Sequence, residues 1–177
     1  MRIDPDGWVS DAMRIPSPNF DRREGGIELL VIHNISLPPG EFGGDGVARL
    51  FTNSLDRKEH PYYETIPEGR VSSHFFIRRD GHLIQFVSVL DRAWHAGLSI
   101  WQGRERCNDF SIGIELEGSD FVPFTDAQYE ALRDLTIALR RAFLIKGIAG
   151  HSDIAPGRKT DPGPCFDWRR YLVSLSS

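Results

Sequence analysis

His33, His151 and Asp161 are side chains that this 177-residue chain could bring together around a metal ion. Zinc accepts imidazole nitrogen and carboxylate oxygen when its ligands are held on rigid supports. His33 ends one apolar run and His151 follows another, so both would sit at the ends of strands. Asp161 lies in His151-Ser-Asp-Ile-Ala-Pro-Gly-Arg-Lys-Thr-Asp161-Pro-Gly-Pro164, a stretch whose Pro and Gly content argues for loop and against helix. Pro162 favours extended backbone at Asp161, and residues two apart on an extended stretch share a face. Lys159 and Asp161 should therefore point the same way, a carboxylate for a metal beside an ammonium for developing negative charge. Taken singly, each residue has a plainer reading. Either histidine could be a hydrogen-bonded core residue, and Lys159 with Asp161 a surface ion pair worth ~0–1 kcal/mol. The spacing of His33 and His151 has none of the specificity of a short HExxH motif.

Glu115 adds a candidate general base. It stands in Phe110-Ser-Ile-Gly-Ile-Glu-Leu-Glu117, where Ile112, Ile114 and Leu116 alternate with Ser111, Gly113, Glu115 and Glu117. Gly113, two residues earlier on the same face, leaves room for a ligand to approach the backbone. The competing reading is a solvated strand face, on which Glu117 and Glu28 have no evident role. Trp94, in Arg92-Ala-Trp-His-Ala-Gly97, is either core or a platform for a sugar or peptide. Arg70, Arg104 and Arg106 could grip carboxylates through the guanidinium fork, or be ordinary surface charge. Cys107 and Cys165 are read as structural thiols, because two cysteines make no disulfide framework.

Several elements must position these groups. Glu28–Ile35 reads as a central strand, apolar on both faces. Asp45 could cap a short helix with Val47, Leu50, Phe51, Ser54 and Leu55 at helical spacing. Ser73–Arg78 and His82–Val87 read as a hairpin turning at Asp80-Gly81. Thr125 with Gln128 forms a capping box that opens an amphipathic helix to about Phe143. A brief strand near Ile148–Gly150 precedes the Pro/Gly-rich loop, and Phe166–Leu175 is a closing helix. The pattern predicts an α/β fold in a single domain, 1–177, with a central mixed sheet flanked by helices. Residues 1–26 should be irregular and 27–170 should form the core. A formal charge of −4, from 21 Lys and Arg against 25 Asp and Glu, argues against a nucleic-acid partner. The start of the chain lacks the apolar segment of a signal peptide, and the apolar runs are far shorter than the ~20 residues of a membrane span. A soluble, cytoplasmic protein with no membrane partner is expected.

Taken together, the chain resembles the zinc-dependent N-acetylmuramoyl-L-alanine amidases, and among them the cytoplasmic AmpD-type branch. The resemblance is carried by Arg14-Ile-Pro-Ser-Pro-Asn19, Val31-Ile-His-Asn34 through Gly44, Ile77-Arg-Arg-Asp-Gly81 and Arg92-Ala-Trp-His-Ala-Gly97. It continues in Gln102 through Gly118, in Arg158-Lys-Thr-Asp-Pro-Gly-Pro164 and in Phe166-Asp-Trp168. It implies a monomeric hydrolase of peptidoglycan recycling that cleaves the amide between 1,6-anhydro-N-acetylmuramic acid and L-alanine of the stem peptide. It also implies one zinc on His33, His151 and Asp161, with Glu115 as base and Lys159 as the polarising cation. Asn34, Arg70, Trp94 and Arg106 would contact the anhydro-muropeptide, the two arginines through peptide carboxylates. His95 lies in a family motif without an assigned role beyond shaping the pocket. Residues 45–49 and 67–69 depart from the family pattern. A binding module that recognises such fragments without cleaving them, or a zinc peptidase with another scissile bond, are the rival readings.

Overall fold

A computed structural model describes residues 1–176. Short strands β1 (Met13–Arg14) and β2 (Phe20–Arg22) lead into β3 (Leu29–Ile35), followed by helices α1 (Gly46–Phe51) and α2 (Pro61–Thr65). Next come β4 (Phe75–Ile77), β5 (Leu83–Gln85), β6 (Asp91–Ala93), β7 (Ile100–Trp101) and β8 (Arg104–Glu105). A 3-10 turn at Cys107–Asp109 opens onto β9 (Ser111–Glu117), then α3 (Asp126–Ala142), β10 (Gly147–Gly150), α4 (His151–Ile154) and α5 (Trp168–Ser174). Six strands form the main sheet in the order β1-β5-β4-β9-β3-β10. The β4–β5 pairing is antiparallel and the other pairings are parallel, so the sheet is mixed, as the sequence predicts.

The two long strands, β3 and β9, lie side by side at the centre, and β9 is buried along its whole length. Their registration pairs Ile32 with Ile114 and His33 with Glu115. Paired residues in a parallel ladder project to the same face, so this register alone places an imidazole beside a carboxyl. The opposite face packs Leu30, Ile32, Ile112, Ile114 and Leu116 against Leu132, Leu135 and Leu139 of α3 and Tyr171 of α5. On the His33 face, Leu29, Val31, Phe110, Ala149 and Ile154 fill one end. Val47 and Phe51 of α1 pack with Phe76 and Phe86 at the other. The polar groups lie between these two apolar clusters.

Local chemistry explains where the elements stop. The capping box of α3 forms as expected: Thr125 Oγ1 accepts from Gln128 N at 3.1 Å, and Gln128 Oε1 accepts from Thr125 N at 3.1 Å. Helix α1 ends at Phe51, short of the expected Leu55, because Asn53 turns the chain with φ 59°. Asp45 holds the N-cap position, yet its carboxylate pairs with Arg49 at 2.9 Å and makes no cap bond. Helix α2, unforeseen from the sequence, starts on Pro61 with His60 accepting from Tyr62 N at 3.1 Å. The expectation of loop at His151 is corrected: residues 151–154 form one helical turn, whose Asp153 accepts from Gly150 N at 2.7 Å before Pro156 ends it. The first 26 residues are less irregular than expected, since β1 joins the sheet edge and β2 pairs with β6. Among the described residues no helix is long and apolar enough to cross a membrane.

One buried cation ties the sheet to the loops around it. Arg23, just past β2, donates to the carbonyls of Asn108, Asp109, Asp91 and Ser111 at 2.8–3.2 Å. Burial pulls its guanidinium down to about 10, still charged near neutral pH. Hydrogen bonds to a charged donor are worth more than neutral ones, and buried carbonyls left without a donor are costly. Arg23→Met should therefore lower unfolding free energy by roughly 3 kcal/mol. Chemical denaturation checks this, and a loss near zero would show that water replaces the guanidinium without penalty.

Candidate metal centre and its cavity

His33 projects from the C-terminal half of β3, His151 opens α4, and Asp161 comes from the loop beyond it. Three donor atoms meet. His33 Nδ1 lies 3.0 Å from His151 Nδ1 and 3.0 Å from Asp161 Oδ2, and His151 Nδ1 lies 3.1 Å from the same oxygen. Zinc bonds of ~2.0–2.2 Å in a tetrahedron require donors ~3.3 Å apart, which matches this triangle. The outer nitrogens supply an independent test. His151 Nε2 faces the Ala96 carbonyl, an acceptor, at 3.1 Å and Arg158 Nη2 at 3.5 Å, so the nearer carbonyl places a ring proton on Nε2 and leaves Nδ1 to turn a lone pair inward. A lone pair facing a carboxylate and a second imidazole nitrogen calls for a cation between them. The residues fit a metal ion.

Burial holds His33 down at about 4, with the Asp161 hydrogen bond opposing, so the imidazole is neutral near physiological pH. Burial by itself would raise Asp161, but the two imidazoles facing it outweigh that and hold the carboxyl well below the usual range. Neutral imidazoles and an ionised carboxylate are the forms that ligate zinc.

Glu115 stands beside this group with only 7% of its surface exposed. The alternative of a solvated strand face is therefore overturned. Its Oε2 is buried without a hydrogen-bond partner among the described residues. Burial, reinforced by the Asp161 charge and opposed by Lys159, raises its carboxyl well above the usual glutamate value. Glu117 also has a role, because it accepts from Gly43 N at 2.6 Å and Arg79 N at 3.0 Å and so ties two loops to the end of β9. Glu28 pairs with Lys146 at 2.9 Å and with Arg104 at 3.5 Å.

A cavity of about 220 Å³ collects the predicted residues: His33, Asn34, Trp94, Glu115, His151, Lys159 and Asp161 line it, together with His95. Lys159 and Asp161 both line it, and Lys159 makes no ion pair among the described residues. Asn34 donates through one amide nitrogen to Asp120 Oδ1 at 2.8 Å and to the Pro162 carbonyl at 3.0 Å, which holds the loop bearing Asp161. Trp94 donates its indole N–H to Asp21 at 3.2 Å. Arg70 lines an adjoining cavity of about 230 Å³ with Trp94, Arg158 and Lys159. Arg106 lies apart: it is 72% exposed, pairs with Asp109 at 3.0 Å, and lines two other cavities.

The gap at Gly113 is not for a ligand. The ring of His95 fills it, and a Cβ on Gly113 would come within 2.5 Å of His95 Cγ. Arg158, which the sequence motif includes without a role, donates through Nη2 to the carbonyls of Ala96 at 2.8 Å and Leu98 at 2.6 Å, bracing the segment that receives His151.

A mixed sheet carrying a His-His-Asp triangle beside a buried carboxyl, unpartnered among the described residues, is an arrangement that could hold a metal ion next to a general base. Residues 23–164 match the family described as N-acetylmuramoyl-L-alanine amidase, and the chain belongs to that family. It is 55% identical over 174 residues to the 1,6-anhydro-N-acetylmuramyl-L-alanine amidase AmpD of Escherichia coli (strain K12), covering 96% of this chain and 95% of that one. The N-acetylmuramoyl-L-alanine amidase AmiD of the same organism is 40% identical over 186 residues, covering 95% of this chain and 59% of its own. Among solved structures, the crystal structure of a selenomethionine AmpD derivative superposes with a TM-score of 0.96 at 54% identity, covering 99% of both chains.

The Glu115 environment generates a test on folding. An unfolded glutamate releases its proton near the ordinary value, whereas folded Glu115 keeps its proton to higher pH. In the metal-free protein this carboxyl therefore opposes folding above the ordinary glutamate range, increasingly until its own raised pKa is passed. Metal-free Glu115→Gln should be more stable than the metal-free wild type at about pH 8, with the gap closing toward about pH 4. Denaturation midpoints across that range check it, and a gap independent of pH would remove the buried carboxyl as its cause.

Proposed function

We propose that this chain hydrolyses the amide joining 1,6-anhydro-N-acetylmuramic acid to L-alanine of the stem peptide, as a cytoplasmic monomer of peptidoglycan recycling using one zinc per chain. Residues 27–170 are assigned as the catalytic core of a single domain. The observation that carries the reading is the convergence of His33, His151 and Asp161 on a cavity that also holds the unpartnered oxygen of Glu115. Its support on substrate comes from relatives. The AmpD proteins carry that bond in their name, and AmiD of Escherichia coli, 29% identical with a TM-score of 0.61, has been solved with anhydro-N-acetylmuramic acid-L-Ala-D-gamma-Glu-L-Lys.

His33, His151 and Asp161 are assigned as the zinc ligands. Zinc bound there would polarise the amide carbonyl and acidify a water molecule. Glu115 Oε2, buried and without a donor, accepts the proton of the attacking water. The same carboxyl then delivers that proton to the departing L-alanine nitrogen. Its raised proton affinity makes the ionised carboxylate a stronger base than a solvent-exposed one. Lys159, lining the same cavity and without an ion pair among the described residues, donates toward the oxyanion as it forms. A well-placed donor of this kind typically contributes ~3–4 kcal/mol. Trp94 and Asn34 border the reacting bond, Asn34 by setting the Asp161 loop. Arg70 and Arg106 are assigned to stem-peptide carboxylates, with Arg106 far enough out to meet a distal one.

Incubation with an anhydro-muropeptide, with and without chelator, followed by mass analysis should show the free anhydro-sugar and intact peptide in the untreated sample alone. Glu115→Gln should lose ~10²–10⁴-fold in turnover while keeping zinc and ligand affinity. Near-normal turnover would remove Glu115 as the base, and lost zinc would make it part of the metal site. Arg106→Ala should weaken peptide-bearing substrates more than muramoyl-L-alanine; equal losses on both would count against its role.

A further inference from the structure

His33 is a more delicate ligand than His151. Behind His151 stand the Ala96 carbonyl, which accepts at 3.1 Å, and Arg158 Nη2 at the longer 3.5 Å, so the nearer carbonyl holds the ring proton on Nε2. Behind His33 stands another imidazole: His33 Nε2 lies 2.9 Å from His95 Nδ1, and either ring could supply the proton. In front, Asp161 Oδ2 sits 3.0 Å from His33 Nδ1 and would draw the proton to that nitrogen in the absence of a metal ion. A proton there would occupy the donor triangle. Which nitrogen of His33 is protonated therefore decides whether the site can ligate.

We propose that His95 is a positioning residue which, with Ser111, keeps the His33 proton on Nε2 and so presents Nδ1 as a ligand. The proposal rests on the zinc reading of the site given above. His95 Nε2 lies 3.1 Å from Ser111 Oγ. With its proton on Nε2 donated to that hydroxyl, His95 keeps a lone pair on Nδ1 and accepts from His33 Nε2–H. The ring is held in this orientation from several sides. Gly113, lacking a Cβ, lets it lie against β9. His74 packs edge-on at 5.8 Å between centroids, and Asn108 Oδ1 accepts from the backbone N–H groups of His95 and Ala96 at 3.1 and 2.8 Å. Partners behind a ligating histidine fix its tautomer and orientation, and their loss typically weakens metal binding 10–100-fold.

Two readouts test it, neither of them activity. Zinc affinity is measured by chelator competition for the wild type, His95→Phe, His95→Asn, Ser111→Ala and Gly113→Ala. Nitrogen chemical shifts of the His33 ring are measured in the metal-free proteins. His95→Phe removes the acceptor behind His33 and should weaken zinc ~10–100-fold, with the His33 proton moved to Nδ1. His95→Asn offers an amide oxygen near the place of Nδ1 and should stay close to wild type. Ser111→Ala should shift both readouts the same way by less, and Gly113→Ala, which displaces the ring, should resemble His95→Phe. Unchanged affinity in His95→Phe overturns the proposal. So do equal losses in His95→Phe and His95→Asn, which would mark a packing role alone. A wild type without zinc affinity would instead sink the metal reading. The tautomer shifts would still decide whether His95 directs the proton.

Discussion

Three electron-rich atoms pointed at one another within about 3 Å repel unless something positive or a proton lies between them. A chain that folds into such an arrangement has to hold it with other forces, and most of the structure around this site can be understood as that restraint. His33 is carried on a central strand of the sheet, fixed by neighbours on both sides. His151 is locked by the β10–β3 pairing one residue before it and by the Ala96 carbonyl behind its ring. Asp161, on the least regular support, is held by Asn34, which donates to the loop it belongs to. Even the bracing has bracing, since Arg158 secures the Ala96 carbonyl that His151 donates to.

The same restraint explains the unusual content of the sheet face. A parallel strand buried on both sides is normally a run of aliphatic residues, and β3 and β9 keep to that rule on the α3 side. On the other side the ladder pairs His33 with Glu115 and places Gly113 against His95. These polar groups forgo burial of apolar area where the sheet is best ordered. What the fold gains is rigidity, because a strand interior holds a side chain in place better than a loop does. The two apolar clusters that flank the polar band, one around Phe110 and one around Phe51 and Phe86, supply the packing that this band gives up.

Much of this was legible in the sequence, for identifiable reasons. The β3 run is continuously apolar, the β9 run alternates, and the capping box at Thr125 is a local device whose two halves are three residues apart, so these strand and helix identities followed from local pattern alone. The donor triangle was harder. His33 and Asp161 lie 128 positions apart in the chain, and no local rule brings them together; the long motif blocks did that. Short ribbons such as β2–β6 and β7–β8 were invisible because two or three residues have no period. The His151 turn was missed because Pro156 and Gly157 dominated the reading of that segment, although Asp153 three residues after Gly150 is the signal of a capped helix start. Gly113 was noticed for the right property and assigned the wrong occupant. A missing Cβ announces that something comes close, and it cannot say whether that is a ligand or a neighbouring side chain.

The electrostatics of the band are arranged so that each group's state depends on the cation the donors call for. Without it, Glu115 and Asp161 are two buried carboxyls on one wall, and burial with the Asp161 charge keeps the proton on Glu115. Unit charges ~4 Å apart interact by ~4 kcal/mol at an effective dielectric of 20, so a divalent ion among the donors outweighs a single neighbouring carboxylate. A divalent ion held by these donors would therefore lower the proton affinity of Glu115. Lys159 contributes in the same direction from the side. The burial that makes this carboxyl oppose folding also makes it a strong proton acceptor once ionised. A positive charge at the centre of the triangle would therefore act on stability and on chemistry through the same group.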